Sequence, residues 1–520
     1  MHRFSGYLEP SAAMWAADQL LKDIKSLDPT KKQEHLALAS SLLRQALVLN
    51  PLAPDLASMA GQLARFDSRI AGASNWIQQA RHFLETLPLE NNELEAPLRR
   101  GAPETSLLES LVQKSNSSQV RLALASKYWQ MGEKDLFLET SRPLVAGKAA
   151  PFLAPLLAWG AWAAGEPDLA RQWLSPGLES FLGLNLRAEM ALAEGDRERA
   201  IAYWQESLSF EPEQPHLASR LWELAQAPPP TDLVESKLVH ICLYTYNKLE
   251  TTLVTLKALL GSDIGPARIT LLNNGSTAFD PEELDQSVRA ICPNGRVEVI
   301  HLPVNIGAPA ARNWLWHLPN VSQADYVAFL DDDVLVPRNW LALYIQDFQD
   351  FPDTVVVGPK GLNPGSPATI QYVYRYFQDI GKHKIRFTHN APSFMDLGQY
   401  DLRRPCLSVM GCCHMFDRKK CDQLGIPDFD IRFSPSQVDD LEHDLQVWKA
   451  GGQILYDGRV AVIHLQDAGR QAPMTQASWA HVLGNHMKME YKFSEEELEE
   501  LDRRVREAET EFCAGQHLSN

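Results

Sequence analysis

Seven residues near the middle of the chain, Ala225-Gln226-Ala227-Pro228-Pro229-Pro230-Thr231, cannot continue a helix, because three successive prolines remove backbone donors and fix φ. The pattern changes across them. Before this point the sequence is rich in Ala and Leu at helical spacing, broken only at Gly or Pro, with hardly a β-branched run. After it, apolar runs of strand length alternate with helical stretches. With 520 residues and 45% of them apolar, the chain can bury more than one core, so at least two domains are expected. The boundaries fall at 1–225 for an all-helical domain, 226–236 for a Pro-rich linker, 237–470 for an α/β domain and 471–520 for a helical extension.

The helical half carries a weak internal period. Gly132, Gly165 and Gly195 each follow one Ala/Leu-rich helix and precede another, at intervals near the tetratricopeptide period of about 34 residues. Between Leu184 and Pro212, the residues Ala188, Gly195, Ala200, Trp204 and Pro212 resemble the small, turn, small, aromatic and terminating positions of that repeat. Stacked helical hairpins are expected, with an irregular bundle as the competing reading; either offers a surface rather than chemistry. The uncharged run from Ala149 to Gly165 is too short and too rich in Pro and Gly for a membrane span, and reads as buried helix pairs.

In the α/β half, Leu238 to Tyr244, Ile269 to Leu272, Val297 to Leu302, Tyr326 to Leu330 and Val355 to Val357 read as strands of a mostly parallel, helix-covered sheet. The Tyr326-Val327-Ala328-Phe329-Leu330 run ends in Asp331-Asp332-Asp333. Carboxylates at the carboxyl end of a strand suit a hard divalent cation at the mouth of such a sheet, where these folds bind ligands. Acids also favour helix N-termini, and Pro337 marks a helix start just beyond, so capping competes. A formal charge of −17 argues against bulk nucleic-acid binding. Seven cysteines, an odd number, with no signal-peptide core at the N-terminus, point to reduced thiols and a cytoplasmic protein. Cys406, Cys412, Cys413 and Cys421 lie near His414, but their spacing matches no common zinc pattern and they read as core.

Four further segments accompany the acid triplet: Thr245-Tyr246-Asn247, Asn274-Gly275-Ser276, Asn305-Ile306-Gly307 and Ala311-Arg312-Asn313, each at a strand end or the following helix start. In this order they resemble the family 2 glycosyltransferases of the GT-A fold, over roughly Leu238 to Ala468. The resemblance implies a metal-dependent, inverting transferase that moves a sugar from a nucleotide-sugar to a hydroxyl of a glycan or protein-linked acceptor. By resemblance, Thr245 and Asn247 line the nucleotide pocket, Asn273 and Asn274 meet the base, and Arg312 lies near the base or phosphates. Asp331 and Asp333 are the outer members of a D-x-D motif, with Asp333 the first choice as metal ligand and Asp332 contacting ribose or sugar. Where the family has an aspartate that accepts from a uracil N–H, this chain has Asn273, whose amide oxygen also accepts, so a UDP-sugar remains the expected donor.

Downstream, Gln437-Val438-Asp439-Asp440-Leu441-Glu442-His443-Asp444 places acids around a helix start. The family implies an acceptor-deprotonating base here: Asp440, assisted by Asp439. The alternative register uses Glu442 and Asp444. The strand Val460 to Ile463 ends in His464, the implied third ligand of Mn²⁺ or Mg²⁺, and Gly411 lies under the donor sugar where a side chain would intrude. A sugar nucleotidyltransferase would open on a Gly-rich, Arg-containing loop that Tyr244 to Lys248 does not provide, and a helical-repeat adaptor with a weakened transferase-like domain is the non-enzymatic alternative. The helical half is suited to a protein partner, an acceptor or a second copy. Glu495 to Phe512 reads as a charged amphipathic helix.

Overall fold

A computed structural model of the chain describes residues 10–22, 24, 27–50, 103–177, 179–226, 232–382, 384–388, 394–465 and 476–517. These fall into two compact units, one drawn from Met1–Leu221, Pro364–Thr369 and Ser393–Gln399, the other from Trp222–Asn363, Ile370–Pro392 and Tyr400–Asn520. The three prolines of the sequence divide, Pro228, Pro229 and Pro230, lie outside the described residues.

The first unit is helical: α1 (Pro10–Lys22), α2 (Pro29–Leu49), α3 (Thr105–Lys114), α4 (Ser118–Met131), α5 (Lys134–Ala146), α6 (Ala150–Ala163), α7 (Pro167–Leu174), α8 (Phe181–Ala193), α9 (Arg197–Phe210) and the start of α10 (Pro215–Ala225). Helices α4/α5, α6/α7 and α8/α9 form consecutive hairpins. Gly195 turns the last of these at φ +81°, a conformation L side chains resist, and Asp196 then caps α9 by accepting from the Arg199 N–H. Trp204, at the repeat's aromatic position, is fully buried. The uncharged run forms α6, buried along most of its length, and no helix among the described residues is long and apolar enough to cross a membrane.

The second unit carries a ten-stranded mixed sheet with strand order β10-β12-β6-β11-β4-β1-β2-β3. Its strands are β1 (Val239–Thr245), β2 (Arg268–Asn273), β3 (Val297–His301), β4 (Tyr326–Asp331), β5 (Val334–Leu335), β6 (Thr354–Asn363), β7 (Thr369–Tyr372), β10 (Arg403–Pro405), β11 (Cys413–Asp417) and β12 (Gln453–His464), while β8 (Phe377–Gly381) and β9 (Lys384–Phe387) make a separate hairpin. Strands β4, β1, β2 and β3 are parallel, linked through α11 (Leu249–Leu260), α12 (Pro281–Ile291) and α13 (Ala308–Trp316). Strand β11 enters antiparallel to both β4 and β6, so the sheet is less uniformly parallel than the sequence suggests. Strand β1 is buried along nearly its whole length, with His240 bonded to Thr270 Oγ1 at 2.8 Å and kept neutral because burial pushes its pKa down to about 4.

This topology sets the site. Parallel pairing aligns Tyr244 with Asp331 and Thr245 with Asn273, so the carboxyl ends of β1, β2 and β4 open on one edge. After the acid triplet the chain makes no immediate helix: β5 pairs with the end of β12, opposing Val334 to His464, and α14 (Trp340–Asp350) starts only at Trp340. The capping reading of the triplet therefore fails. The remaining helices are α15 (Arg418–Leu424), α16 (Asp439–Lys449), α17 (Gln476–Lys492) and α18 (Glu495–His517), the last covering the segment read as amphipathic and packing on β10, α16 and β8.

Candidate active site

One cleft in the second unit is lined by Asp331, Asp332 and Asp333 on one wall and by Asp439 and Asp440 on another, with Gly411, Arg312, Asn274 and His464 between them. Two acidic stretches more than a hundred residues apart in sequence thus share one cavity.

The first wall follows from the β5–β12 pairing. The Leu465 N–H donates to the Asp333 carbonyl at 2.7 Å, which draws the turn after β4 against the end of β12. Ligand atoms of Asp331, Asp333 and His464 then lie within 4.8 Å of one another. His464 Nδ1 is 2.8 Å from Gln371 Oε1, which steadies the ring from behind, and Nε2 faces Asp333 Oδ1 at 3.0 Å. That buried oxygen has no hydrogen-bond partner. A bound cation in this gap would satisfy both atoms. The donor set, two carboxylates and an imidazole steadied from behind by Gln371, fits a divalent metal.

Lys248, at the start of α11, places Nζ 2.7 Å from Asp333 Oδ2 and 3.3 Å from Asp332 Oδ1. Burial would raise the Asp333 carboxyl, but His464 and Lys248 outweigh it and hold the pKa down to about 2. Burial prevails at Asp332, pushed up to about 6 with Lys248 opposing. The Tyr244 hydroxyl donates to Asp331 Oδ1 at 2.5 Å.

On the second wall, α16 opens directly on Asp439 and Asp440, preceded by Gln437 at φ +82° and Val438 at φ +68°. Left-handed backbone at two successive non-glycine residues, one of them β-branched, is strained and persists only where the surroundings enforce it. Asp440 Oδ2 accepts from the Gly411 N–H at 3.1 Å, and its Oδ1 from the Leu441 N–H at 2.8 Å. Asp439 is buried and ion-paired with Arg312 at 2.5 Å; burial pushes its carboxyl up to about 6 against that guanidinium. Arg312 also lies 3.7 Å from Asp331 and packs over the Tyr244 and Phe429 rings, so it bridges the two walls.

The two candidate registers on α16 differ plainly in place. Glu442 pairs with Lys492 at 2.6 Å, and Asp444 Oδ2 accepts from the Val409 N–H at 3.1 Å, so both are buried in the framework and neither lines the cleft. Of the residues expected at the donor, Asn274, Arg312, Asp331, Asp332 and Gly411 line it. Thr245, Asn247 and Asn273 do not: Thr245 Oγ1 accepts from Thr252 at 2.8 Å, Asn247 Oδ1 from the Thr277 and Ala278 N–H groups, and Asn273 Oδ1 from the Ser276 N–H. They shape the β1 and β2 turns behind the wall. Sequence reasoning missed Lys248, Gln371, Tyr372, Arg375 and His486. Lys248 was legible from its place just after β1; the others arrive through long-range packing. Cys406, Cys412, Cys413 and Cys421 are buried free thiols whose pKa burial pushes up.

Gly411 lies where a Cβ would meet Asp440 Cβ at 2.8 Å, Asp440 Oδ2 at 3.0 Å and Arg312 Nη2 at 3.2 Å. The Gly411→Ala variant is expected to fold and to lose turnover roughly tenfold or more by displacing Asp440, since small misplacements at a reacting centre are costly. A crystal structure of the variant with unmoved Asp440, or unchanged turnover, would contradict this.

Residues 240–425 match the Glycosyl transferase family 2 family. A "Pre-mycofactocin glycosyltransferase" of Mycobacterium tuberculosis (strain CDC 1551 / Oshkosh) is 27% identical over 218 residues, covering 40% of this chain and 44% of that protein, so the chain spans less than half the length of this relative. Among solved structures, GalNAc-T7 with UDP, GalNAc and Mn²⁺ overlaps at a TM-score of 0.37 and 14% identity, over 52% of this chain and 54% of that one. The mannosyltransferase PcManGT from Pyrobaculum calidifontis with GDP-Man and Mn²⁺ overlaps at 0.33 and 13%, over 62% and 86%. Overlaps this low carry no weight for the chemistry. The strand-end motifs from Thr245 to Asp333 all lie within residues 240–425, over which the chain is similar to the glycosyl transferase family 2 family.

Proposed function

We propose that the chain is a metal-dependent, inverting glycosyltransferase that moves a sugar from a nucleoside-diphosphate sugar, UDP-linked in the first instance, to an acceptor hydroxyl on a glycan or protein. The observation that carries this reading is the convergence of Asp331, Asp333 and His464 with Asp440 in one cleft. Asp331, Asp333 and His464 are the residues that would hold Mn²⁺ or Mg²⁺, and such an ion, when bound, supplies positive charge to a diphosphate. Asn274 and Arg312, which line the cleft, are the residues proposed for the nucleotide, and Asp332 the residue proposed for ribose or sugar.

Asp440 accepts the proton of the acceptor hydroxyl while that oxygen bonds to the anomeric carbon and the carbon–diphosphate bond breaks on the opposite face, so configuration inverts. Two backbone N–H groups donate to the Asp440 carboxylate and fix its direction. Asp439, spent on Arg312, orients rather than abstracts. The domain scheme proposed is a helical platform to about residue 225 that recruits an acceptor, a partner or a second copy, followed by the transferase domain to about 470 and its helical extension.

A screen of nucleotide-sugars with Mn²⁺ is expected to find one donor that is hydrolysed to a nucleoside diphosphate and that stabilises the protein thermally. Release of pyrophosphate would indicate a nucleotidyltransferase, and absence of both binding and hydrolysis across the panel would indicate the adaptor reading.

A further inference from the structure

Outside the walls of the cleft, one side chain of α17 concentrates an unusual number of bonds on the loop that carries the acids. Asn485 is buried, and its Nδ2 lies 2.9 Å from the Phe433 carbonyl, 2.9 Å from that of Ser436 and 3.1 Å from that of Gln437. Its Oδ1 accepts from Lys488 Nζ at 2.9 Å, and the same ammonium donates to the Arg432 carbonyl at 2.6 Å. This fixes the orientation of the amide: turned over, its oxygen would face three carbonyl oxygens.

The loop gripped in this way contains the two left-handed residues, Gln437 and Val438, that aim Asp439 and Asp440 into the cleft. Two further carbonyls of the loop are also engaged: Pro435 accepts from the Ala308 N–H at 2.8 Å and Val438 from the Glu442 N–H at 2.8 Å. Strain of about 1–3 kcal/mol per residue in such backbone must be held by neighbouring contacts, and Asn485 bonds on both sides of the bend, at the Phe433 carbonyl and at those of Ser436 and Gln437. We propose that Asn485 is a positioning residue of the second acidic wall: α17 acts as a clamp that keeps the Ser434–Val438 loop in its strained form, and through it the Asp440 carboxylate against the acceptor. The proposal deepens the transferase reading, because the base it positions is the one assigned there.

The sharpest test is Asn485→Asp, nearly isosteric but carrying two acceptors toward three carbonyls. Hydrogen exchange of the peptide spanning 433–441 is expected to accelerate about tenfold or more with the melting temperature little changed, since only local bonds are lost. Single-turnover transfer from bound donor should slow by a similar factor while donor and Mn²⁺ affinities hold. Lys488→Met, at an exposed position, should produce the same changes in weaker form. Unchanged exchange over 433–441 in both variants overturns the clamp whatever the donor proves to be. Loss confined to a lowered melting temperature, with exchange rising throughout the unit, overturns it too by reducing Asn485 to a packing residue. If wild-type protein turns over no nucleotide-sugar, the transferase reading fails, and the exchange measurement still decides the clamp.

Discussion

Asp440→Asn is expected to lower sugar transfer by about 10²–10⁴-fold, the usual worth of a general base, with donor and metal affinity within a few-fold of wild type. The replacement keeps side-chain volume and one of the two acceptor oxygens, so a bond to either the Gly411 or the Leu441 N–H survives and the turn into α16 is retained. What disappears is the capacity to take a proton. Donor affinity should hold because Asp333 is tied to Lys248 and His464, and His464 to Gln371, contacts in which Asp440 takes no part. Single-turnover kinetics on preloaded donor, beside calorimetric titration of donor and Mn²⁺, separate the two effects. Normal transfer by this variant would place the base elsewhere, and Asp439 would be a poor substitute while Arg312 holds it at 2.5 Å. Asp439→Asn would then be informative in a different way, because it leaves Arg312 buried without its carboxylate and should disturb folding as well as rate.

The parts of this site legible in the sequence are those that local physics dictates. Apolar runs such as Val239 to Leu243 and Tyr326 to Leu330 had to be buried strands, and acids at the end of the second had to emerge at a sheet edge. His464 was reachable by the same reasoning from Val460 to Ile463. The turn glycine at Gly195 and the helix from Glu495 were equally local. What escaped depends on pairing across the chain. Strand β5 has only two residues, too few for any periodicity, yet its register against β12 is what brings Asp333 to His464. Gln371 reaches Nδ1 of that histidine from 93 positions away, and Asn485 reaches Gln437 from 48. Glutamine and asparagine leave no pattern that announces such partners. Thr245, Asn247 and Asn273 show the opposite difficulty: their place in the motif was readable, but whether a polar side chain near a strand end points into a cleft or ties up a neighbouring turn is decided by a few degrees of backbone.

Asp333→Ala is expected to abolish thermal stabilisation by Mn²⁺ and to weaken donor binding together with it. In the wild-type protein a bound ion should raise stability by about 2.7 kcal/mol at a hundredfold excess over its dissociation constant, visible as a rise in melting temperature that saturates with Mn²⁺. Alanine removes the one side chain that touches His464 with one oxygen and Lys248 with the other, leaving a carboxylate and an imidazole that no longer share a neighbour. Without added metal the change in stability should be smaller, since burial of a carboxylate is exchanged for the loss of a half-exposed lysine's partner and a histidine contact. The pairing of results is what discriminates. A metal held by this wall predicts that Mn²⁺ stabilises wild type and not the variant, and that His464→Ala weakens the effect in the same direction. A wall whose positive charge is supplied wholly by Lys248 predicts no stabilisation by Mn²⁺ in either protein. Equal stabilisation of both would place the ion at other residues and detach the first acidic wall from the proposed chemistry.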